Sequence, residues 1–440
     1  MDLKTLFNAH LSERLAYAEK ALVANALDAL VISSGAAYTH FADDQDAPFR
    51  PTPHFRHYCP LTGPHHALVI RPGRKPLLVR YAPEDFWYEQ LSLEAIWGGT
   101  PFWAEGFELI EAPSLDAVWE AVGKPANGGY IGNETERAAT AGLALNPTGL
   151  TAYLDWGRAY KSEYEIQCLE EATILGAKGH LAGRKAFLAG ASELEIHQAF
   201  AQGVGCLDHE LAFSSIVALN EKGATLHYEN KRTLRNGKTM ILDCGARVLD
   251  YASDITRTVT APTCDSRFKA LVAGMEKLQL ELCAAVKPGL AFGVLHHQTH
   301  QKVAALLHES GILKASVEEA VTKGFTRPFL PHGLGHHLGI QVHDVGGKLA
   351  GPDGTLQAPP AEYPNLRTTR TLEPRQVLTI EPGIYFIPML LRPFREGEFA
   401  ARFDWKLIDE LSEFGGIRIE DDVLVTEGAP RNFTRKHLPD

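Results

Sequence analysis

The sequence predicts a mixed α/β (α+β) protein with two domains, and three observations lead to this fold class. The chain has 440 residues, too many for one ordinary hydrophobic core. Helical and strand-like patterns alternate over its first part. Farther on, strand-like runs enclose two helical stretches at residues 266–286 and 292–309. We predict an N-terminal α/β domain over residues 1–160 and a C-terminal domain over residues 161–440.

The N-terminal domain is predicted to start with an amphipathic helix that extends to about Ala26. This helix mixes both charge signs with apolar residues and lacks the continuous apolar core of a secretion signal, so we expect it to belong to the fold. The candidate strands that follow are LDALVISS, HHALVI, PLLVRY and GGYIGNE. HHALVI and PLLVRY are joined by RPGRK, whose Pro-Gly pair is typical of a turn.

Two capping boxes predict consecutive helices at the start of the C-terminal domain. In SEYE the oxygen of Ser162 accepts an early backbone N–H while Glu165 reaches back, and SELE repeats the pattern from Ser192. The strand-like runs that follow are SSIVALN, TMILDCG, YASDITRTV, VLTIEPGIYF and GIRIEDDVLVTE. The Gly/Pro-rich stretch 346–364 predicts a long ordered loop or lid.

Composition excludes several classes of function. The 43 basic and 54 acidic side chains give a formal charge of −11, whereas nucleic acids and anionic membranes are bound by basic surfaces. A hydrophobic content of 45% with 22% charged residues indicates neither disorder nor a membrane span. The six cysteines include no CxxC pair, which predicts isolated thiols in a reducing cytoplasm.

Four carboxylates and one imidazole lie in short segments typical of strands or strand-edge loops. They are Asp243 in MILDCG, Asp254 in YASDITRT, His336 in PHGLGHHLG, Glu381 in LTIEPGIYF and Glu420 in GIRIEDD. Four carboxylates brought together repel one another and resist ionisation, and two divalent cations reverse that effect. An oxygen-rich set with one imidazole suits manganese better than a closed zinc site.

The spacing of Asp243 and Asp254 predicts a β-hairpin. Antiparallel pairing with its turn at Val248-Leu249 places residue 243 opposite residue 254, so that both carboxylates face one side. Taken alone, this pair is equally typical of two solvated aspartates at strand ends. In GIRIEDD, alternation with a period of two puts Arg418 on the same face as Glu420.

Three histidines stand among glycines in PHGLGHHLGIQVHD. His332, His336 and His343 are concentrated where glycine lets the backbone approach closely, which suits metal ligation and proton transfer. His337 is the expected exception, because adjacent residues of an extended chain point to opposite faces.

The ordered motifs resemble those of the pita-bread metallopeptidases, and within them the bacterial Xaa-Pro dipeptidases (prolidases), relatives of the organophosphorus acid anhydrolases. The motifs are TLHY, DCGA…SDITRT, PHGLGHHLGIQVHDVGG, LRTTR, LTIEPGIYF and GGIRIEDD, and the similarity covers essentially the whole chain. This resemblance implies a creatinase-like N-terminal α/β domain, a C-terminal pita-bread domain holding two Mn²⁺ ions, and a homodimer.

The resemblance also implies a role for each residue of the site. Asp243 would bind one metal alone, Asp254 and Glu420 would bridge both, and His336 with Glu381 would complete the second. Six further positions would act on the substrate or on these ligands: His332 and His343 would contact substrate or shuttle protons, His227 and Arg367 would grip the free carboxylate of a dipeptide, Arg418 would support the bridging carboxylates, and Tyr385 would line the site.

The expected activity is hydrolysis of dipeptides with a C-terminal proline. Two divalent ions can share a water and lower its pKa toward neutrality, so the nucleophile is expected to come from solvent. Glu381 would relay a proton from this water to the proline nitrogen. The alternatives are an aminopeptidase P that acts on longer peptides, an organophosphorus hydrolase activity alongside the peptidase, and a pita-bread module that binds peptides without catalysis.

Two positions depart from the family pattern. Phe213 stands where family members often have a tyrosine, and Ala47 stands where a DDxxYPF-like loop would carry an aromatic ring. Both departures leave the five proposed ligands intact. Because of them, the resemblance does not determine which amino-terminal residue of the substrate is preferred.

Overall fold

The computed structural model describes residues 2–89 and 91–439, which form two compact units. The first unit contains the chain up to Arg158 together with Ser162–Ile166 and Leu349–Thr355. The second contains Ala159–Lys161, Gln167–Lys348 and the chain from Leu356 onward. None of the helices in the described residues is both long and apolar enough to cross a bilayer.

A six-stranded sheet organises the first unit. Its elements in chain order are α1 (Leu3–Ala24), β1 (Ala29–Ser33), α2 (Pro53–Tyr58), β2 (Ala67–Ile70), β3 (Leu77–Tyr81), α3 (Leu93–Trp97), β4 (Glu108–Ala112), α4 (Leu115–Val122), β5 (Gly128–Ile131), α5 (Thr135–Thr140), β6 (Ala144–Leu145) and α6 (Thr148–Arg158). The strand order is β4-β3-β2-β1-β5-β6. The four predicted strands are β1, β2, β3 and β5. Strand β4 (ELIEA) is not among them, because its two large apolar residues, Leu109 and Ile110, are adjacent between two glutamates and give no alternating pattern.

The second unit combines small antiparallel sheets with helices. Its elements are α7 (Glu163–Leu188), α8 (Glu193–Val204), β7 (Ile216–Leu219), β8 (Thr239–Cys244), β9 (Arg247–Val248), β10 (Tyr251–Ala252), β11 (Ile255–Thr260), α9 (Ser266–Ala285), α10 (Phe292–Glu309), α11 (Val317–Thr322), β12 (Val377–Ile380), β13 (Gly383–Tyr385), α12 (Pro388–Glu396), α13 (Trp405–Ser412), β14 (Gly416–Arg418), β15 (Asp421–Leu424) and β16 (Arg431–Asn432). Helix α7 begins within the first unit and continues into the second. The sheets have the orders β11-β8-β7, β12-β15-β16, β13-β14 and β10-β9.

The capping boxes predicted at the first helices of the second half are confirmed. At the start of α7 the backbone N–H of Ser162 donates to Glu165 Oε2 (2.9 Å) and the N–H of Glu165 donates to Ser162 Oγ (3.3 Å). Ser192 and Glu195 form the same reciprocal pair at α8. Each box satisfies backbone donors that have no partner inside the helix.

Strand alternation separates the core of the second unit from a polar cleft. Ile417 and Ile419 lie in the large apolar core with residues of α9, α10 and β12. Arg418 and Glu420, one residue out of phase, line the cleft on the other side. A strand with a period of two therefore buries apolar side chains and presents charged ones in the same few residues.

The hairpin that carries Asp243 is real, but its predicted turn is wrong by one position. Leu249 and Asp250 occupy the turn with φ of 50° and 69°, and Tyr251 pairs with Val248. The register continues into β8 and β11, where Asp243 pairs with Thr256 rather than with Asp254. Two consecutive residues with positive φ are typical of a tight hairpin turn.

The register error leaves the conclusion about the side chains unchanged. Pairing Asp243 with Thr256 instead of Asp254 shifts the register by two residues. Because side chains alternate with a period of two, such a shift keeps Asp243 and Asp254 on the same side. Both carboxylates line the same cleft.

Gly335 allows two backbone segments to approach closely beside His336. A Cβ at this position would lie 1.9 Å from the carbonyl oxygen of Thr379, a separation that real side chains never show. The contact is tied down by backbone hydrogen bonds, since the N–H of Thr379 donates to the carbonyl of His336 (2.9 Å). The glycine is therefore needed to position the histidine that follows it.

We expect Gly335→Ala to lower the free energy of unfolding by about 1–3 kcal/mol or more, because the added methyl group must displace the Thr379 backbone. Urea unfolding measures this loss. Gly428→Ala is the matched control, because a Cβ at Gly428 meets no heavy atom within 4 Å. Equal stability of the two variants would contradict the close approach.

Candidate metal centre

The five sequence-predicted ligands come together in one cleft of the second unit, with a volume of ≈ 1010 Å³. Asp243 stands on β8 and Asp254 precedes β11, while Glu381 and Glu420 follow β12 and β14. His336 lies in an irregular segment whose backbone N–H donates to Thr379 Oγ1 (3.1 Å). Chain segments far apart in sequence thus deliver four carboxylates and one imidazole to a single place.

The tightest group within the cleft contains Asp254, His336 and Glu420. One nitrogen or oxygen atom from each lies within 4.8 Å of the others, and all three residues are buried. His336 Nδ1 donates to the carbonyl of His337 (3.0 Å), which leaves the lone pair of Nε2 free. That nitrogen lies 3.4 Å from Asp254 Oδ2 and 3.7 Å from Glu381 Oε1.

Burial and mutual repulsion oppose ionisation of the carboxylates. Burial raises the pKa of Asp254 well above its usual value, and the charge of Asp243 adds to this. The pKa of Glu420 is raised in the same way, by burial and then by Asp254 and Glu381. Burial also raises the pKa of Glu381, to about 7. These groups ionise together only if positive charge is placed among them.

The chemistry of the donor atoms fits a divalent metal. The Oδ1 atom of Asp243 is buried without a hydrogen-bond partner, while its Oδ2 accepts from Arg418 (2.5 Å). An orphaned carboxylate oxygen, three clustered ligand atoms and an imidazole with a free lone pair are what an oxygen-rich metal site offers.

Hydroxyl groups orient several of these ligands, and the sequence motifs did not single them out. Thr256 Oγ1 donates to Glu420 Oε2 (2.6 Å), and the backbone N–H of Glu420 donates to the carbonyl of Thr256 (3.0 Å). The SDITRT motif contains this threonine. Only the pairing of Thr256 with Glu420 across the fold shows its role.

Asp422, a buried carboxylate that is not one of the five candidate ligands, contacts the backbone of Asp254. It accepts the backbone N–H of Asp254 at 3.3 Å and the hydroxyl of Thr173 at 2.9 Å. Burial raises its pKa well above the usual value. Its position in GIRIEDD was visible in the sequence, but strand alternation alone does not show that it holds Asp254.

His332, Tyr385 and Arg418 form a hydrogen-bonded chain at the edge of the centre. Arg418 Nη1 donates to the Tyr385 hydroxyl (2.8 Å), which lies 2.9 Å from His332 Nε2. His332 Nδ1 donates to the carbonyl of Gly333 (2.7 Å), so its Nε2 accepts from the tyrosine. Burial lowers the pKa of His332 to about 3, which keeps the ring neutral.

Of the remaining sequence-predicted residues, three line the cleft and Tyr385 lies buried beside it. His227, His343 and Arg367 line the cleft, with the ring of His343 perpendicular to that of His336 at 4.4 Å. Tyr385 is fully buried and lies behind His332 and Arg418. His337 is buried, and burial and the charge of Lys161 lower its pKa to about 3.

The two departures from the family pattern lie in different units. Phe213 lines the cleft, so its ring faces the same space as the candidate ligands. Ala47 lies in the irregular segment between β1 and α2 of the first unit.

Comparison with known protein families accounts for nearly the whole chain. Residues 167–427 match the sequence profile of Metallopeptidase family M24. Residues 5–156 match that of the N-terminal domain of Xaa-Pro dipeptidase. The chain belongs to metallopeptidase family M24.

Relatives of this M24 chain include proteins named Xaa-Pro dipeptidase. The protein of Proteus mirabilis is 41% identical over 442 residues, which is 98% of either chain. That of Escherichia coli K12 is 41% identical over 444 residues, covering 99% of this chain and 98% of the relative. The similarity therefore extends over nearly the full length of this M24 chain and of these relatives.

Solved structures share the fold at lower sequence identity. Proline aminopeptidase P II from Yersinia pestis superposes with a TM-score of 0.74 at 22% identity, covering 98% of this chain and 97% of its own. Escherichia coli aminopeptidase P with the inhibitor Pro-Leu gives 0.72 at 23%, covering 98% and 95%. The M24 chain thus has an N-terminal α/β domain followed by a pita-bread domain, the fold class predicted from its sequence.

The raised pKa of Glu381 predicts how pH affects the metal-free M24 protein. A glutamate in an unfolded chain has a pKa of about 4.3, whereas burial raises that of Glu381 to about 7. The folded state holds this proton more tightly, so the stabilisation is present below about pH 4.3 and is lost as the pH rises through about 7. Between these two pH values the contribution of Glu381 to the free energy of unfolding falls by at most ~1.4 kcal/mol per pH unit.

We expect chelator-treated wild type to lose stability relative to Glu381→Gln between pH 5 and pH 8, because glutamine carries no charge. Urea unfolding at each pH measures the difference. Glu413→Gln, at an exposed position, is the control. Its free energy of unfolding should differ from that of wild type by the same amount at every pH. If the free energy of unfolding of wild type minus that of Glu381→Gln stays constant or increases with pH, Glu381 is not a strained buried acid.

Proposed function

We propose that this chain is a dinuclear-metal Xaa-Pro dipeptidase that hydrolyses dipeptides with a C-terminal proline. The observation that carries the proposal is the free Nε2 lone pair of His336, which lies 3.4 Å from a carboxyl oxygen of Asp254 and 3.7 Å from one of Glu381. Carboxyl groups that burial holds back from ionising, gathered around a free imidazole lone pair, ionise together when a cation binds among them. The 41% identity to Xaa-Pro dipeptidases over the full chain supports the substrate class.

The proposed ligands divide between two ions, most simply Mn²⁺. Asp243, Asp254 and Glu420 would hold one ion, and His336 with Glu381 would complete the second around the shared Asp254 and Glu420. The ions would lower the pKa of a shared water and polarise the scissile carbonyl. Arg418, which donates a hydrogen bond to Asp243, would orient that carboxylate.

Glu381 is the proposed proton carrier. In the metal-free protein burial raises its pKa to about 7, and a bound cation would lower that pKa and keep the carboxylate ready to accept a proton. Its Oε2 lies 3.7 Å from His332 Nδ1, and the His332 ring is held neutral between Gly333 and Tyr385. In this role Glu381 takes a proton from the attacking water and delivers it to the proline nitrogen, while His332 and His343 contact the substrate.

His227 and Arg367 are proposed to bind the free carboxylate of the dipeptide. Both line the cleft that contains the carboxylate cluster. A guanidinium pairs with a carboxylate through two parallel hydrogen bonds, which sets both distance and direction. The tertiary amide nitrogen of an Xaa-Pro bond carries no hydrogen and needs no acceptor beside it.

We expect Asp254→Asn and Glu420→Gln each to slow Ala-Pro hydrolysis by about 10³-fold, because loss of a bridging ligand removes several kcal/mol of transition-state stabilisation. Turnover at saturating Mn²⁺ is the measurement, with folding checked by circular dichroism. Asp409→Asn, at an exposed position away from the cleft, should retain full activity. A folded, manganese-loaded Asp254→Asn enzyme with wild-type turnover would refute the mechanism.

Arg367→Ala should raise KM for Ala-Pro about 10- to 100-fold, because a hydrogen bond to a charged group contributes about 1.5–3 kcal/mol. The KM for Ala-Pro-Ala should change less, since its terminal carboxylate lies one residue farther away. Arg402→Ala, whose side chain pairs with Glu319, is the control and should change neither value. Equal effects of Arg367→Ala on both substrates would remove the carboxylate clamp.

The second candidate is an aminopeptidase P that acts on longer peptides. It is favoured by the fold shared with the aminopeptidases P of Yersinia pestis and Escherichia coli. Comparing hydrolysis of Ala-Pro with that of Ala-Pro-Ala decides between the two. A peptide-binding module without catalysis is disfavoured because all five candidate ligands are present in the cleft.

Three finer points belong to the same proposal. Release of fluoride from a phosphorofluoridate would reveal a side activity on organophosphorus substrates. Light scattering would test for a homodimer. A reducing cytoplasm is proposed because all six cysteines carry free thiols.

A further inference from the structure

A second cavity of ≈ 340 Å³ lies next to the candidate metal centre and contains no carboxylate of that centre. Helix α10 contributes His296 and His300 to the lining, and Tyr363, whose ring contacts both histidines, lines it as well. His332 and Pro331 line both this cavity and the cleft. The reaction proposed above does not use the histidines of α10.

His296 and His300 have the spacing of a helical metal chelate. Residues four apart lie on the same face of a helix, and two histidines so placed can bind one ion. Their ring centroids are 4.8 Å apart at an interplanar angle of 86°. Each residue is only 1% exposed, so both rings are held inside the protein.

The hydrogen bonds of the two imidazoles leave nitrogen lone pairs available. His300 Nδ1 lies 2.8 Å from Thr326 Oγ1, and a hydroxyl that accepts this N–H leaves the Nε2 lone pair for a ligand. His296 Nδ1 is buried without a hydrogen-bond partner. A buried imidazole nitrogen with no partner is costly unless something binds it.

The protonation state of both rings also suits ligation. Burial lowers the pKa of His296 to about 4 and that of His300 to about 3, so both are neutral at pH 7. A metal therefore displaces no proton from the ligating lone pair. Arg327 and Glu362 line the same cavity with opposite charges, and both are exposed to solvent, where their effects are screened.

We propose that His296 and His300 form a binding site for one borderline divalent transition-metal ion, such as Zn²⁺ or Ni²⁺. The site is separate from the carboxylate centre and differs from it in chemistry. Imidazole ligands favour zinc, nickel and copper, whereas carboxylates favour manganese and magnesium. Water completes the coordination in the open part of the cavity.

A purely structural role makes a different prediction. The ring of Tyr363 stacks on His300 at 4.7 Å and meets His296 edge-on at 4.5 Å, so the three rings also form a packed aromatic cluster. If packing is their only role, the cavity binds no ion and their replacement affects stability alone.

The test uses full-length protein loaded with two equivalents of Mn²⁺. Zn²⁺ is added in small excess, free metal is removed by gel filtration, and bound manganese and zinc are counted by mass spectrometry. We expect about one zinc per chain besides two manganese ions, and less than about 0.1 zinc in His296→Asn/His300→Asn with manganese unchanged. His308→Asn, exposed on the same helix, should retain its zinc.

Equal zinc retention by the double variant, or no zinc in the wild type, would overturn the proposal. Loss of zinc accompanied by loss of manganese would place the zinc in the carboxylate centre and also overturn it. Should the double variant not fold, wild-type crystals soaked in Zn²⁺ give the answer by anomalous diffraction at the zinc edge. A peak about 2.1 Å from a nitrogen of both rings supports the site, and its absence refutes it.

Discussion

The burial of four carboxylates around one imidazole is the constraint on which the rest of the second unit depends. Burial raises the pKa of Asp254, Glu381 and Glu420, and the charges of neighbouring carboxylates add to this effect. Without a compensating cation this arrangement destabilises the fold, because like charges in a medium of low polarity repel strongly. A divalent ion bound by these residues would therefore stabilise the fold, since the charges that would hold it are those that oppose the metal-free structure.

The surrounding fold restrains these charges through short-range contacts. Thr256 bonds to Glu420, Arg418 bonds to Asp243, and the backbone N–H of Asp254 is held by Asp422. Such contacts set the direction in which each oxygen points, and a metal site tolerates little error in direction. The core beneath, which contains Ile417 and Ile419, keeps the strands that carry the ligands in place.

The histidines of the second unit show how environment divides one residue type among several roles. His336 has one nitrogen bonded to a backbone carbonyl and the other facing carboxylates. His332 has both nitrogens engaged, one of them by Tyr385. His296 and His300 lie in a separate cavity without carboxylates of the centre. For His336 and His332, the hydrogen bond at the second nitrogen, more than burial, separates the candidate ligand from the positioning group.

The sequence by itself determined much of the local structure and the identity of the candidate ligand residues. Periodicity predicted β1, β2, β3 and β5 and the helices near 266–286 and 292–309, because alternation and helical spacing are local properties. It missed β4, where Leu109 and Ile110 stand side by side between two glutamates and give no alternating pattern. The five candidate ligands followed from their chemistry and their motifs, since few other arrangements tolerate so many carboxylates.

Only the tertiary structure decided the register of the hairpin and the partners of each ligand. Asp243 pairs with Thr256, and a turn residue with positive φ such as Asp250 is not specified by the local pattern. The roles of Asp422 and Thr173, and the meeting of Tyr363 with α10, depend on contacts between segments far apart in the chain. Sequence patterns report which face a residue occupies, whereas the neighbour it meets across that face is set by how distant segments pack.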